Sequence, residues 1–443
     1  MKKKLVGFVF MLVLALGTVL AGCSQPKESS SDNPKQEGKN GEKTVTNINF
    51  WGGWTGPDGD VMRTLVEQFN QENADIKVNL ETLQWTPLFE KLITQTKVGN
   101  PPALMAMHPQ DIAQFASLGV LDPDAAKGAG VEKDQFNANA WDGTFYDGKQ
   151  YAIPLDMHMH ALYLNNEMYE KAGLDPANPP KTGEELIDYA TKLTIDANGK
   201  HPNETGFDIN NVKQWGLGMP NNHHGFYLWF ALLNQQNEKL LDDSGKKTAF
   251  KDDAGEKAWK WLGELVYKHH VVPAGQKAPM DDFKSGLTAM VIDGPWQLPG
   301  LEGQDALKWS TAAFPRIFAT DAVWGSAHVL TFPKVKDAKE REAAVKLAKW
   351  IAEHSEAWAK SGNIPSNLTA QKGLDDLPGR KAFIEMMPYT KVLPNIPKTA
   401  QAFSASSPSP IMNASQGILL ENKDPSAITK EMRDGLEAII SQP

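Results

Sequence analysis

Residues 48–118 read INFWGGWTGPDGDVMRTLVEQFNQENADIKVNLETLQWTPLFEKLITQTKVGNPPALMAMHPQDIAQFASL. The alternation of Ile48-Asn49-Phe50-Trp51, closed by Gly52-Gly53, predicts a strand. Val61, Leu65, Val66 and Phe69 then fall on one helical face. Residues 76–80 alternate again. Thr86-Pro87 predicts an N-cap followed by Pro at the first helical position, with Leu88, Leu92 and Ile93 as the apolar face. Residues 103–107 form a short apolar run after Pro101-Pro102, as a buried strand does. Ile112, Phe115 and Leu118 mark a third helix. Strand and helix alternating three times predict a mainly parallel sheet covered on both faces.

The same grammar continues to the C-terminus. Residues 151–154 lead into a strand at 161–165. Thr182-Gly183-Glu184-Glu185 is a capping box opening a helix through Leu193. Residues 226–234 and 254–269 read as helical, and 287–292 as a strand. Helices follow at 338–354, near 382–387, after Pro410 and at 425–440. A chain of 443 residues exceeds what one hydrophobic core serves. The expectation is an α/β fold of two lobes with a cleft between them.

The N-terminus carries a different message. Lys2, Lys3 and Lys4 precede an apolar run over residues 5–20, short of the about 20 residues of a spanning helix. It ends at Leu20-Ala21-Gly22-Cys23, and Cys23 is the chain's single cysteine. This predicts a lipoprotein signal peptide over 1–22 and lipidation of Cys23. Residues 23–43 would be a polar tether without the apolar surface needed to fold. The net charge of −9 argues against nucleic acid as a partner. The expected location is the extracellular face of a bacterial cell membrane, lipid-anchored and monomeric.

In open α/β sheets, ligands bind beyond the carboxyl ends of strands. Those positions hold Trp51 and Trp54, then Glu81 and Trp85, then His108, Gln110 and Asp111. Further along come Asp156, His158 and His160, and then Asp293-Gly294-Pro295-Trp296. A pyranose offers an apolar C–H face to an indole and a rim of hydroxyls to carboxylates, amides and imidazoles. Of 13 tryptophans, Trp259, Trp261, Trp350 and Trp358 lie on predicted helices and are assigned to the core. Trp51, Trp54, Trp85 and Trp296 are assigned to the cleft.

Three stretches resemble the carbohydrate-binding proteins of ABC importers, extracellular solute-binding protein family 1, the group of the maltose-binding proteins. They are Tyr151-Ala-Ile-Pro-Leu-Asp-Met-His-Met-His-Ala-Leu-Tyr-Leu-Asn165, Gly286-Leu-Thr-Ala-Met-Val-Ile-Asp-Gly-Pro-Trp296, and Pro394-Asn-Ile-Pro397 followed by Asn413-Ala-Ser. The resemblance implies a two-lobe periplasmic-binding-protein fold (type II) with a hinge-closing cleft. The lobes would be 44–154 plus 297–351, and 155–296 plus 352–443. It also implies an oligosaccharide ligand, a membrane permease served indirectly by an ATPase, and no cofactor. His158 and His224 fall where the family places sugar-bonding carboxylates, and Phe226 where it has a stacking Tyr. Trp296 matches the Trp that stacks on sugar, and Trp51 a strand-end Trp; Trp54 has no counterpart. Gln110 and Asp111 fall near a polar pair that bonds hydroxyls. Trp324 and Ser326 lie in Val323-Trp-Gly-Ser-Ala-His328, similar to a cleft-edge segment. The imidazoles standing in for carboxylates argue against a malto-oligosaccharide.

Two other function classes compete. A metal-binding importer component would use His158 and His160, two apart on a strand, or the adjacent His223 and His224; zinc needs three or four converging ligands. A tethered glycoside hydrolase would need two facing carboxylates from among Glu81, Asp111, Asp156 and Asp293. No metal ligand set and no catalytic motif is assigned from the sequence.

Overall fold

A computed structural model describes residues 45–442. The expected signal peptide, the expected lipidation site Cys23 and the expected tether lie outside them.

Two five-stranded sheets carry the fold. The first has the order Ile76–Thr82, Thr46–Gly52, Leu104–Met107, Val329–Thr331, Ala152–Pro154. Its first three strands are parallel, and Val329–Thr331 runs against both neighbours. Alternation along these strands splits the apolar side chains between two cores. Ile48, Phe50, Leu104, Ala106, Ile153 and Leu330 face one core with Leu65, Phe69, Leu347 and Ile351. Trp51, Met105, Met107 and Ala152 face the other with Leu88, Leu92 and Phe115. Both faces are thus covered, as a mainly parallel sheet requires.

The second sheet is mixed, in the order Trp309–Ala312, Ala161–Asn165, Thr288–Asp293, Val212–Gly218, Ile195–Asp196. Only Val212–Gly218 and Thr288–Asp293 pair in parallel. The capping box holds as expected: Thr182 Oγ1 accepts from Glu185 N at 3.2 Å and Glu185 Oε2 from Thr182 N at 3.2 Å, opening the helix Gly183–Leu193. The final helices Pro410–Leu419 and Pro425–Ile440 pack beside Asp252–Tyr267. No helix of the described residues is long and apolar enough to cross a membrane.

Between the two sheets runs a third, Ile364–Pro365, Asp156–Met159, Val323–Ser326, Thr390–Lys391. Asp156–Met159 carries the chain from the first sheet to the second, and Val323–Ser326 carries it back, the two side by side and antiparallel. Trp309–Ala312 still belongs to the second sheet. The return crossing therefore lies after residue 312, later than the boundary at 297 expected from the sequence. Trp358, expected in the second lobe, packs in the first sheet's core.

Two local expectations change. The helix at Thr86-Pro87 begins earlier, at Trp85, with Gln84 as N-cap. Pro87 sits in the first turn, where its missing N–H has no intrahelical partner to lose. The third helix is Pro109–Ser117, and Leu118 caps it with its side chain 59% exposed, off the apolar face.

Candidate functional site

A cavity of about 800 Å³ lies where the strand ends of the first sheet meet the crossing strands and the helix His223–Gln235. Its floor is aromatic. The Trp85 and Trp296 indoles are half-buried and line the cavity. Glycine makes room for both. A Cβ on Gly53 would lie 1.9 Å from the Trp85 ring, and one on Gly294 2.1 Å from that of Trp296. Either indole would be displaced by any other residue there. This is the physical content of Gly52-Gly53 and of Asp293-Gly294-Pro295-Trp296.

The polar rim comes from three segments. His108 precedes the helix Pro109–Ser117; its backbone N donates to Asp111 Oδ2 at 3.2 Å, and its Nδ1 lies 3.1 Å from the same oxygen. Gln110 Oε1 accepts from Ser326 Oγ at 3.1 Å, and Gln114 Oε1 from Ala400 N at 2.8 Å. His158 projects from the crossing strand and His328 follows the returning one. Asp156, fully buried, orients both: its carboxylate lies 3.3 Å from His158 Nδ1 and 2.7 Å from His328 Nδ1. It also accepts from His328 N at 2.9 Å and Trp358 Nε1 at 2.7 Å. A carboxylate only accepts, so the facing Nδ1 atoms carry hydrogen and the Nε2 atoms of neutral rings are acceptors.

These environments set the charges. Burial would raise the Asp156 carboxyl, but the His328 and His158 imidazoles outweigh it and hold it well below the usual carboxylate range. His158 is lowered to about 4, by burial first and then by His328. In a second group His224 lines the cavity and the buried His160 lies behind it, with His160 Nε2 2.8 Å from His224 Nδ1. Burial lowers His160 to about 3, His223 to about 4 and His224 well below its ordinary value. Burial also raises the Asp58 carboxyl at the cavity wall.

Of the candidate residues, Trp54, Trp85, His108, Gln110, Asp111, His158, His224, Trp296 and Trp324 line the cavity. Five do not. Trp51 lies inside its strand, paired with Glu81 and Met105; its ring is turned into the core and covered by Lys91 Nζ at 4.2 Å. Phe226 is wholly buried, stacked on Trp229 and Phe403. Its neighbour Tyr227, one residue or about 100° around the helix, reaches the cavity and stacks on Trp324 at 4.2 Å. Asp156 and Ser326 sit behind the wall and position residues that line it. Asp293 is raised to about 6 by burial and accepts from Gly294 N and Gln297 Nε2 at 2.8 and 3.0 Å, a turn former.

Other lining residues escape a reading of the sequence. His328, Tyr227, Asp58 and Gln114 belong to the wall, beside His223, which the metal alternative names. His158 and His160, paired in the metal alternative, part company: His158 joins His108 and His328, while His160 joins His224.

A sequence profile of the bacterial extracellular solute-binding proteins matches residues 64–382. The sn-glycerol-3-phosphate-binding periplasmic protein of Escherichia coli (strain K12) is 29% identical over 240 residues, 48% of this chain and 54% of that protein. Among solved structures, an ABC transporter solute-binding protein from Thermotoga lettingae bound with α-D-tagatose superposes with a TM-score of 0.75 at 26% identity, over 89% of this chain and 100% of that one. The maltose/maltodextrin-binding domain of Bdellovibrio bacteriovorus bound to maltotriose gives 0.76 at 21% identity, over 90% and 100%. With the profile spanning most of its length and both neighbours sharing its two-lobed α/β architecture, the chain belongs to the bacterial extracellular solute-binding proteins, which bind a solute and are not enzymes.

Proposed function

We propose that the chain captures a carbohydrate, an oligosaccharide, in this cavity and delivers it to the permease of an ABC-type importer. The observation that carries this reading is the lining itself. Two indoles present flat apolar faces, and imidazoles, amides and carboxylates surround them, as a sugar's faces and edges require. The sugar-bound structural neighbours support it.

A phosphate ester is the reading that the Escherichia coli relative suggests. The lining argues against it. Among the described residues that line the cavity none is Lys or Arg, while Asp58, Glu90 and Asp111 are acidic. A dianionic phosphate there would meet carboxylates and no cation, where recognition needs charge-assisted donors.

In this reading the sugar bridges the two lobes, binds the closed form better and shifts the population towards it. Lipidation at Cys23 keeps the body near its permease; loss of radiolabelled palmitate in Cys23→Ser tests that step. Calorimetric titration of the protein with mono- and oligosaccharides, and with glycerol 3-phosphate, tests the cargo. Saturable heat with one sugar class is expected. Binding of glycerol 3-phosphate alone would overturn the proposal.

A further inference from the structure

We propose that His108, His158 and His328 form a binding site for a first-row divalent transition ion of the zinc class on the cavity wall. The inference goes beyond the sugar reading and does not need it.

One ring nitrogen from each of the three lies within 4.8 Å of those of the other two. Zinc–imidazole bonds of about 2.0–2.1 Å place tetrahedral ligands roughly 3.4 Å apart, so a modest tightening of the rings around an ion completes the set. Each ring also has a carboxylate at its Nδ1, which leaves Nε2 as the nitrogen free to ligate. Nδ1 of His108 faces Asp111, and those of His158 and His328 face the two oxygens of Asp156. Metal-ligating histidines commonly give their other ring N–H to a carboxylate, which fixes the tautomer and raises the basicity of the ligating nitrogen. Here every member of the triad has such a partner, and its Nε2 makes no hydrogen bond to any described residue.

The chemistry of the donor set selects the ion. Three imidazoles suit zinc, nickel or copper and not magnesium or calcium, which take oxygen ligands. Three protein ligands leave a fourth position. All three residues line the cavity, so that position opens into it and takes water or an oxygen of a bound solute. The sequence offered His158 with His160, or His223 with His224, only two ligands in each pair. The fold supplies a different set, from the strand end before residue 109, the crossing strand and the segment after the return.

The test uses the full chain in detergent, freed of metal by a chelator, titrated calorimetrically with zinc chloride without sugar and with magnesium chloride as control. One equivalent of zinc and no magnesium is the expected uptake. His108→Ala, His158→Ala and His328→Ala each weaken zinc binding at least about tenfold, and Asp156→Asn weakens it about 10–100-fold. His269→Gln, outside the cavity, leaves it unchanged. Cobalt substituted into the unaltered protein gives the visible absorption of a low-symmetry imidazole site, a readout independent of how the variants fold. No stoichiometric zinc uptake, or uptake retained in all three alanine variants, overturns the proposal. Sugar titrations repeated with chelator bear only on the carbohydrate reading: sugars failing to bind with or without metal sink that reading while leaving the zinc stoichiometry standing.

Discussion

At and behind the cavity wall, two histidine groups solve opposite problems. His108, His158 and His328 are backed by carboxylates, so their rings are fixed in orientation and tautomer. His160 and His224 have only each other, and His160 Nδ1 is buried without a partner among the described residues. Imidazole behaves as its surroundings dictate. A carboxylate behind the ring makes its far nitrogen a dependable acceptor or ligand. A ring without one is kept neutral by burial, and its donor and acceptor ends follow its neighbour's choice.

Removing the shared carboxylate breaks this contrast most severely. Asp156→Ala strands two ring N–H groups, a backbone N–H and the Trp358 indole N–H. Its cost should be at least about 3 kcal/mol by denaturant unfolding, since each buried donor left unpaired costs about 1–3 kcal/mol. A loss below about 1 kcal/mol would mean that water replaces the carboxylate and that the backing is dispensable. Next in size, Trp85→Ala or Trp296→Ala removes one indole from the proposed sugar floor. Each should weaken the sugar by about 1–3 kcal/mol, roughly tenfold or more, read by calorimetry. Affinity unchanged in both would remove the floor from the site.

Acid acts more gradually, and on His223, whose ring lies beside His224. Burial lowers His223 to about 4 in the folded protein against an ordinary value of 6.5. Between those values the unfolded chain binds the proton and the folded one does not. Stability is therefore complete above pH 6.5 and falls as the pH drops towards 4. Melting scans across that window should show the midpoint decline, and His223→Gln should make the decline shallower, the buried His158 and His160 supplying the rest. The smallest effect belongs to the unbacked pair. His224→Ala should cost only about 1 kcal/mol by denaturant unfolding, one neutral hydrogen bond at a cavity edge that water can reach. A cost rivalling that of Asp156→Ala would erase the contrast.

Elements with strong local signals were legible in the sequence: the capped helix Gly183–Leu193, the helix Pro425–Ile440, and the strand ends carrying Trp85, His108 and Trp296. What escaped was rotation and distance. Trp51 and Trp54 both follow the same alternating run, but the strand extends through Gly52 and commits Trp51 to the inner face. Phe226 and Tyr227 differ by one step around a helix that is apolar on every side from residue 225 to residue 233, so the pattern gave no phase. His328 meets Asp156 across 172 residues. No spacing rule reaches that far; only the pairing of the crossing strands brings the two together.

The strand Val329–Thr331 has a further consequence, in the order of synthesis. It lies between Leu104–Met107 and Ala152–Pro154, and Thr331 Oγ1 reaches Met105 O over a separation of 226 residues. A ribosome completes the other four strands of the first sheet long before it makes this one. Until then the sheet has a gap in its interior and two unsatisfied edges, and long-range pairing is slow to form. The part of the molecule that is made first is thereby prevented from finishing first. The nascent chain stays open while nearly three quarters of it emerges, the condition in which a polypeptide can still be threaded across a membrane.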